Sequence, residues 1–89
     1  MGKCKPSGGV EDVNDRSLPK DGQTPNSKKR LFDDEGLKQE RWYGPDGRAI
    51  WDRDYRHKGK NEKFPHDHEW DHTKKKPRGK KQPPNPMFC

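Results

Sequence analysis

The residue types with most chemical reach crowd into one short window. All four histidines, His57, His66, His68 and His72, lie between positions 57 and 72. The densest run is Pro65-His66-Asp67-His68-Glu69-Trp70-Asp71-His72. On an extended segment, His-x-His puts both imidazoles on one side. Two imidazoles on one side are a common start for a zinc or other transition-metal site, with a carboxylate as third ligand. On a helix, His68 and His72 would meet instead, as would Asp67 and Asp71. The run lacks the second ligand pair of a zinc finger, and HExxH is absent.

A second cluster lies just upstream, Asp52-x-Asp54-x-x-His57. Asp52 and Asp54 share a strand face at period two. Paired carboxylates beside histidines can hold Zn, Mn or Mg for phosphodiester hydrolysis, so the candidate metal ligands are Asp52, Asp54, His66, His68 and His72. Alternatively, histidines work on RNA without a metal as general base and general acid, which makes His57, His66 and His68 the candidate catalytic residues. Arg56, Lys58 and Lys63 then contact phosphate. Blander readings stand beside these. A His-rich polar stretch is often only a solvated loop, and the Asp52/Asp54 pair is commonly a solvated face neutralised by Arg41, Arg53 or Arg56.

Whatever positions these groups must be small. The chain has 89 residues, 21% apolar and 40% charged. A typical globular domain is nearer ~45–50% apolar and ~25% charged. A large core, a multi-domain enzyme and a membrane-spanning helix are excluded as expectations, and no secretory signal is seen, which points to the cytoplasm. Lys and Arg exceed Asp and Glu by six, and residues 57–89 hold nine bases against four acids. A local basic excess favours polyanions, nucleic acid first, and the tail lacks the apolar stripe of a membrane-binding segment. Lys74, Lys75, Lys76, Arg78, Lys80 and Lys81 are the expected contacts, with a solubilising tail as the plainer reading. Partners are thus nucleic acid or another phosphate-rich molecule, with a protein partner as the alternative.

Local signals predict a small β or α+β fold. Residues 1–28 are expected to be disordered, because their few apolar side chains cannot offset the entropy of ordering. Asp33-Asp34-Glu35-Gly36 and Gly44-Pro45-Asp46-Gly47 both suit type I turns. They punctuate a three-stranded antiparallel meander, with strands near 29–32, 37–43 and 48–55. Residues 29–72 are therefore expected to form one domain, its apolar face covered by the short His-containing segment. Residues 73–89 read as a basic, Pro-rich flexible tail. The expected core is Leu31, Phe32, Leu37, Trp42, Tyr43, Ile50, Trp51, Tyr55, Phe64 and Trp70. So small a core predicts low stability unless a metal or partner adds to it. The three tryptophans are assigned to the core, with base stacking as the alternative. Cys4 and Cys89 sit at opposite ends, far from metal-ligand spacing, and are expected as free thiols, with a bridge between them as the alternative if the termini meet.

Residues 25–72 also resemble a known module. Asn26-Ser27-Lys28-Lys29-Arg30-Leu31-Phe32, Lys38-Gln39-Glu40-Arg41-Trp42-Tyr43, Asp52-x-Asp54-Tyr55-x-x-His57-x-Gly59 and Phe64-Pro65-His66-x-His68-x-Trp70-Asp71 resemble the C-terminal module of Firmicutes phage head-morphogenesis and polymorphic-toxin-type proteins. The resemblance implies a mobile-element or inter-bacterial conflict setting, in which such modules are commonly nucleases. The long delivery region of those proteins is not seen here, which points to a small cytosolic or phage-encoded protein. Three functions follow as expectations: a toxin-type nuclease, acting on RNA before DNA; a non-catalytic protein- or nucleic-acid-binding module; and a metal-stabilised structural fold.

Overall fold

The computed structural model describes residues 5–56 and 65–89. Among these the chain is all β, without a helix. Its strands are β1 (Val10–Val13), β2 (Lys28–Asp33), β3 (Gly36–Tyr43), β4 (Ala49–Asp54), β5 (His66–Trp70) and β6 (Arg78–Gln82). They form one six-stranded sheet in sequence order. The β1–β2 pair is parallel and every other pair is antiparallel.

Both expected turns are present. The β2–β3 hairpin turns at Asp34-Glu35, where Asp33 Oδ1 accepts the Glu35 amide at 2.8 Å. The β3–β4 connection closes with the Gly47 amide on the Gly44 carbonyl at 3.0 Å. Gly47 has φ +76°, and a Cβ there would lie 2.3 Å from the Gln23 carbonyl oxygen. That position needs glycine for both backbone and space.

The meander is the centre of a wider sheet, which corrects the three-stranded expectation. The His-containing segment does not cover the sheet; it joins it as β5, beside β4. The stretches expected as disordered tails each supply an edge strand, β1 and β6. β1 is held by pairs such as Lys29–Glu11 at 2.7 Å and the two-pronged Arg30–Asp12 contact. Such pairs sit well on a strand with no apolar period.

Each face of the sheet has its own cover. Alternation puts Arg41, Tyr43, Asp52, Asp54, His66, His68 and Trp70 on one face. Residues before β2 cross it: the Arg41 guanidinium donates to the Leu18 carbonyl at 2.7 Å, and the Tyr43 hydroxyl to the Pro19 carbonyl at 2.7 Å. Lys28, Glu40, Trp42, Trp51, Arg53 and Asp67 lie on the opposite face. There the chain end folds back, and the Phe88 ring stacks on Trp51 with centroids 4.7 Å apart.

The core departs from expectation. Leu31, Trp42, Tyr43, Trp51 and Trp70 are buried as expected, but Leu18 and Ala49 join them. Phe32, Leu37, Ile50 and Tyr55 are only half-buried. Phe64 lies outside the described residues. Much of the remaining interior is charged: Asp52, Asp54 and Asp67 are among the most deeply buried side chains. Buried charges persist only when paired and hydrogen-bonded. Here Arg41 grips Asp52, and Arg53 grips Asp67, each through two guanidinium nitrogens.

The cysteine expectation is also corrected. Cys89 is disulfide-bonded, and among the described residues there is no free cysteine. Cys4 lies outside the described residues. Among the described residues, no helix is long and apolar enough to cross a membrane.

Candidate metal centre

The register of β4 against β5 builds the site. Asp52 faces His68 and Asp54 faces His66 across an antiparallel pair. Period-two alternation then puts all four side chains on one face. Gln39 of β3 sits beside Asp54 from the other side and donates to its Oδ1 at 2.7 Å.

Asp54 Oδ2 is the focus. It lies 3.5 Å from His68 Nε2 and 3.8 Å from His66 Nε2. One ligand atom from each of Asp54, His66 and His68 falls within 4.8 Å of the others, and all three residues are buried. Ligand atoms on a tetrahedral zinc ion, with bonds of about 2.0–2.1 Å, stand about 3.4 Å apart. The Asp54–His68 spacing matches this, and the Asp54–His66 spacing is slightly longer. These three residues lie close enough to bind a metal ion.

The hydrogen bonding of His68 suits a ligand role. Its Nδ1 lies 2.8 Å from the Gly79 carbonyl, a contact that makes Nδ1 the donor. Metal-binding histidines usually engage a carbonyl or carboxylate this way, which fixes the ring and leaves the other nitrogen's lone pair aimed at the ion. His68 Nε2 is buried with no hydrogen-bond partner. Burial lowers the His68 pKa below its ordinary value, against the opposing effect of the Gly79 contact, and the Arg78 charge lowers it further. The ring is therefore held in the neutral form that binds metals.

Asp54 is ionised. Burial opposes that charge, but hydrogen bonds from Arg78 and Gln39 outweigh it and hold the carboxyl below its usual range. Arg78 Nη2 donates to Asp54 Oδ2 at 2.6 Å, and its Nε to Asp52 Oδ2 at 2.9 Å.

The other candidates fall elsewhere. Asp52 lies next to the centre, but Arg41 takes both its oxygens and Arg78 shares one, so it serves as an ion-pair partner. His72 sits in the turn just beyond β5, its Nε2 2.7 Å from the Ala49 carbonyl and its ring against Trp70. His57, Lys58 and Lys63 lie outside the described residues. Arg56 is clamped by Asp33, Glu35 and the Gly36 carbonyl. Of the expected polyanion contacts, Lys74, Lys75, Lys76, Lys80 and Lys81 are exposed, whereas Arg78 points inward to the carboxylates.

Beside the centre lies an open pocket of about 170 Å³, lined by Arg16, Lys38, Arg56, Arg78 and Asp54 among others. Of its four cations, Arg56 is paired with Asp33 and Glu35 and Arg78 with Asp52 and Asp54, so its positive character comes mainly from Arg16 and Lys38. Sequence reasoning missed Arg16, Lys38 and Gln39 here. Lys38 and Gln39 come to Asp54 through the β3–β4 register, and Arg16 through the loop that crosses this face before β2.

A scan against protein-family models finds no match, and searches of curated proteins and of solved structures find none either.

Proposed function

We propose that this chain is a small phosphodiester-directed module of phage, mobile-element or toxin type, a nuclease that acts on RNA with a divalent metal. The observation that carries this reading is the convergence of Asp54, His66 and His68 beside the cation-lined pocket. Asp54 belongs to both: it offers an oxygen to the histidines and forms part of the pocket wall.

Burial favours ligand roles for His66 and His68 over direct proton transfer. A general base must come within about 2.6–3.2 Å of the proton it takes, or reach it through one water. The His68 Nε2 is enclosed, whereas a metal ligand needs only to reach its ion. Two imidazoles and a carboxylate suit zinc or manganese. Such an ion supplies Lewis acidity and an activated water. The chain's own contribution is to hold three donors in place and to draw a phosphate in with Arg16 and Lys38. Exposed Lys74, Lys75 and Lys76 would add length-dependent, salt-sensitive affinity for the backbone. The disulfide at Cys89 fits an oxidising compartment better than the cytoplasm expected from sequence.

The test is cleavage of RNA and DNA by purified protein free of contaminating ribonuclease, with zinc, manganese or magnesium and with chelator. Metal-dependent cleavage, lost on replacing both His66 and His68 with alanine, is the expected result. Intact RNA and DNA under every condition, with RNA binding retained, would overturn it. That outcome would favour the second reading, a non-catalytic binding module whose His/Asp centre only locks β4 to β5. The enclosure of all three donors supports that alternative.

A further inference from the structure

We infer that Arg78 is a built-in competitor for the metal, an internal cation that rests on Asp54 until an ion displaces it. The inference rests on the reading of Asp54, His66 and His68 as a metal centre, and it assigns that centre a control.

The same oxygen serves both partners. Asp54 Oδ2 accepts Arg78 Nη2 at 2.6 Å and is the oxygen nearest to both histidine Nε2 atoms. The remaining Asp54 oxygen is taken by Gln39. Charge points the same way. Arg41 and Arg78 balance Asp52 and Asp54 one for one, so the buried cluster is neutral as it stands. A divalent cation added without a departure would leave two positive charges in excess in a poorly solvated place, where like charges repel strongly.

Only one of the two arginines can leave readily. The Arg41 side chain is 7% exposed and also holds the Leu18 carbonyl; Arg78 is 32% exposed, on edge strand β6. Arg78 already lines the cation-rich pocket, so its guanidinium has solvent and space to move into. Its second carboxylate, Asp52, is held on both oxygens by Arg41, so Asp52 keeps its partner when Arg78 goes.

The test is zinc titration by calorimetry of the metal-free full chain, of Arg78→Gln, and of the His66→Ala/His68→Ala double variant. Arg78→Gln is expected to bind zinc about tenfold more tightly or better, the scale on which neighbours of a metal site change its affinity. The double variant is expected to bind none. Equal zinc affinity in the natural chain and Arg78→Gln would overturn the competitor role and leave the metal centre standing. No binding in either would overturn the metal centre and the control with it. Should Arg78→Gln fail to fold, the natural chain decides by nitrogen-15 NMR. Saturating zinc is expected to abolish the slow solvent exchange of the Arg78 Nε–H and to leave the Arg41 Nε–H protected. An Arg78 Nε–H still protected under saturating zinc would overturn the inference.

Discussion

Arg41 and Asp52 face each other across β3 and β4 in a two-pronged ion pair, Nε to Oδ1 at 2.6 Å and Nη2 to Oδ2 at 2.9 Å, with Asp52 fully buried. The pair joins the two central strands where a larger domain would put aliphatic side chains. Its energetics are asymmetric. Making a buried pair offers little net stability, but removing one partner strands the other charge without water. Asp52→Ala is therefore expected to cost about 3–5 kcal/mol, the range for a broken buried pair. Urea unfolding followed by far-UV circular dichroism measures it. A loss within experimental error of zero would show that Arg41 finds water or another partner.

On the opposite face, Phe88 is the counterpart of that pair. Its ring stacks on Trp51 and meets Trp42 edge-on with centroids 5.3 Å apart. The same chain end is tied down by Arg53 donating to the Asn85 carbonyl, by the Asn85 amide on Asp67, and by Lys28 donating to the Cys89 carbonyl. Phe88→Ala is expected to cost about 2 kcal/mol, less than the ~3–5 kcal/mol of a fully buried phenylalanine because the ring is half-exposed. Tryptophan fluorescence should shift to the red as Trp51 and Trp42 meet water. Reducing the Cys89 disulfide should shift it the same way, and an unchanged spectrum in both cases would refute this role for the chain end.

Tyr55 gives a prediction in alkali. Its hydroxyl donates to Glu40 at 2.5 Å. Burial, then the bond to Glu40 and its negative charge, push the Tyr55 pKa from 10.0 up to about 12, against a smaller opposing effect of Arg53. A raised tyrosine pKa means that the folded chain holds the proton more tightly than the unfolded chain. The resulting stability is complete below pH 10 and is lost as the pH rises from there through about 12. Tyr55→Phe should flatten part of this decline. The rest belongs to Tyr43, whose pKa burial also raises. Ultraviolet titration of the phenolates, combined with unfolding at several alkaline pH values, checks both.

Parts of this arrangement were legible in the sequence for physical reasons. Gly36 and Gly47 marked their turns because a positive φ selects glycine. Period-two alternation placed Asp52 and Asp54 on one face and Trp51 and Arg53 on the other. The His66/His68 spacing likewise predicted two imidazoles on one side of an extended segment. The register between those two segments was not legible, because it depends on long-range pairs such as Arg53 with Asp67 and the Trp51 indole with Asp67. β1 and β6 escaped for a related reason. Val10–Val13 and Arg78–Gln82 carry no apolar period, and they hold their places through backbone pairing and charge. Leu18 is a lone apolar residue in a polar stretch, and it is buried because the sheet face beneath it needs a cover.

The metal centre predicts a linkage between ion and fold. An ion that binds only the folded chain adds stability as its concentration exceeds its dissociation constant, about 2.7 kcal/mol at a hundredfold excess. Asp54 and Gln39 tie the centre to β3 and β4, His66 and His68 to β5, and the Gly79 carbonyl on His68 to β6. An ion there joins four of the six strands, so the gain should appear in the single cooperative transition and not as a local effect. Zinc is expected to raise the unfolding midpoint of the natural chain and chelator to reverse the change. The His66→Ala/His68→Ala variant should show neither response while keeping its β-sheet spectrum, since Asp54 still has Arg78 and Gln39. A zinc-induced gain of equal size in that variant would place the binding elsewhere on the chain.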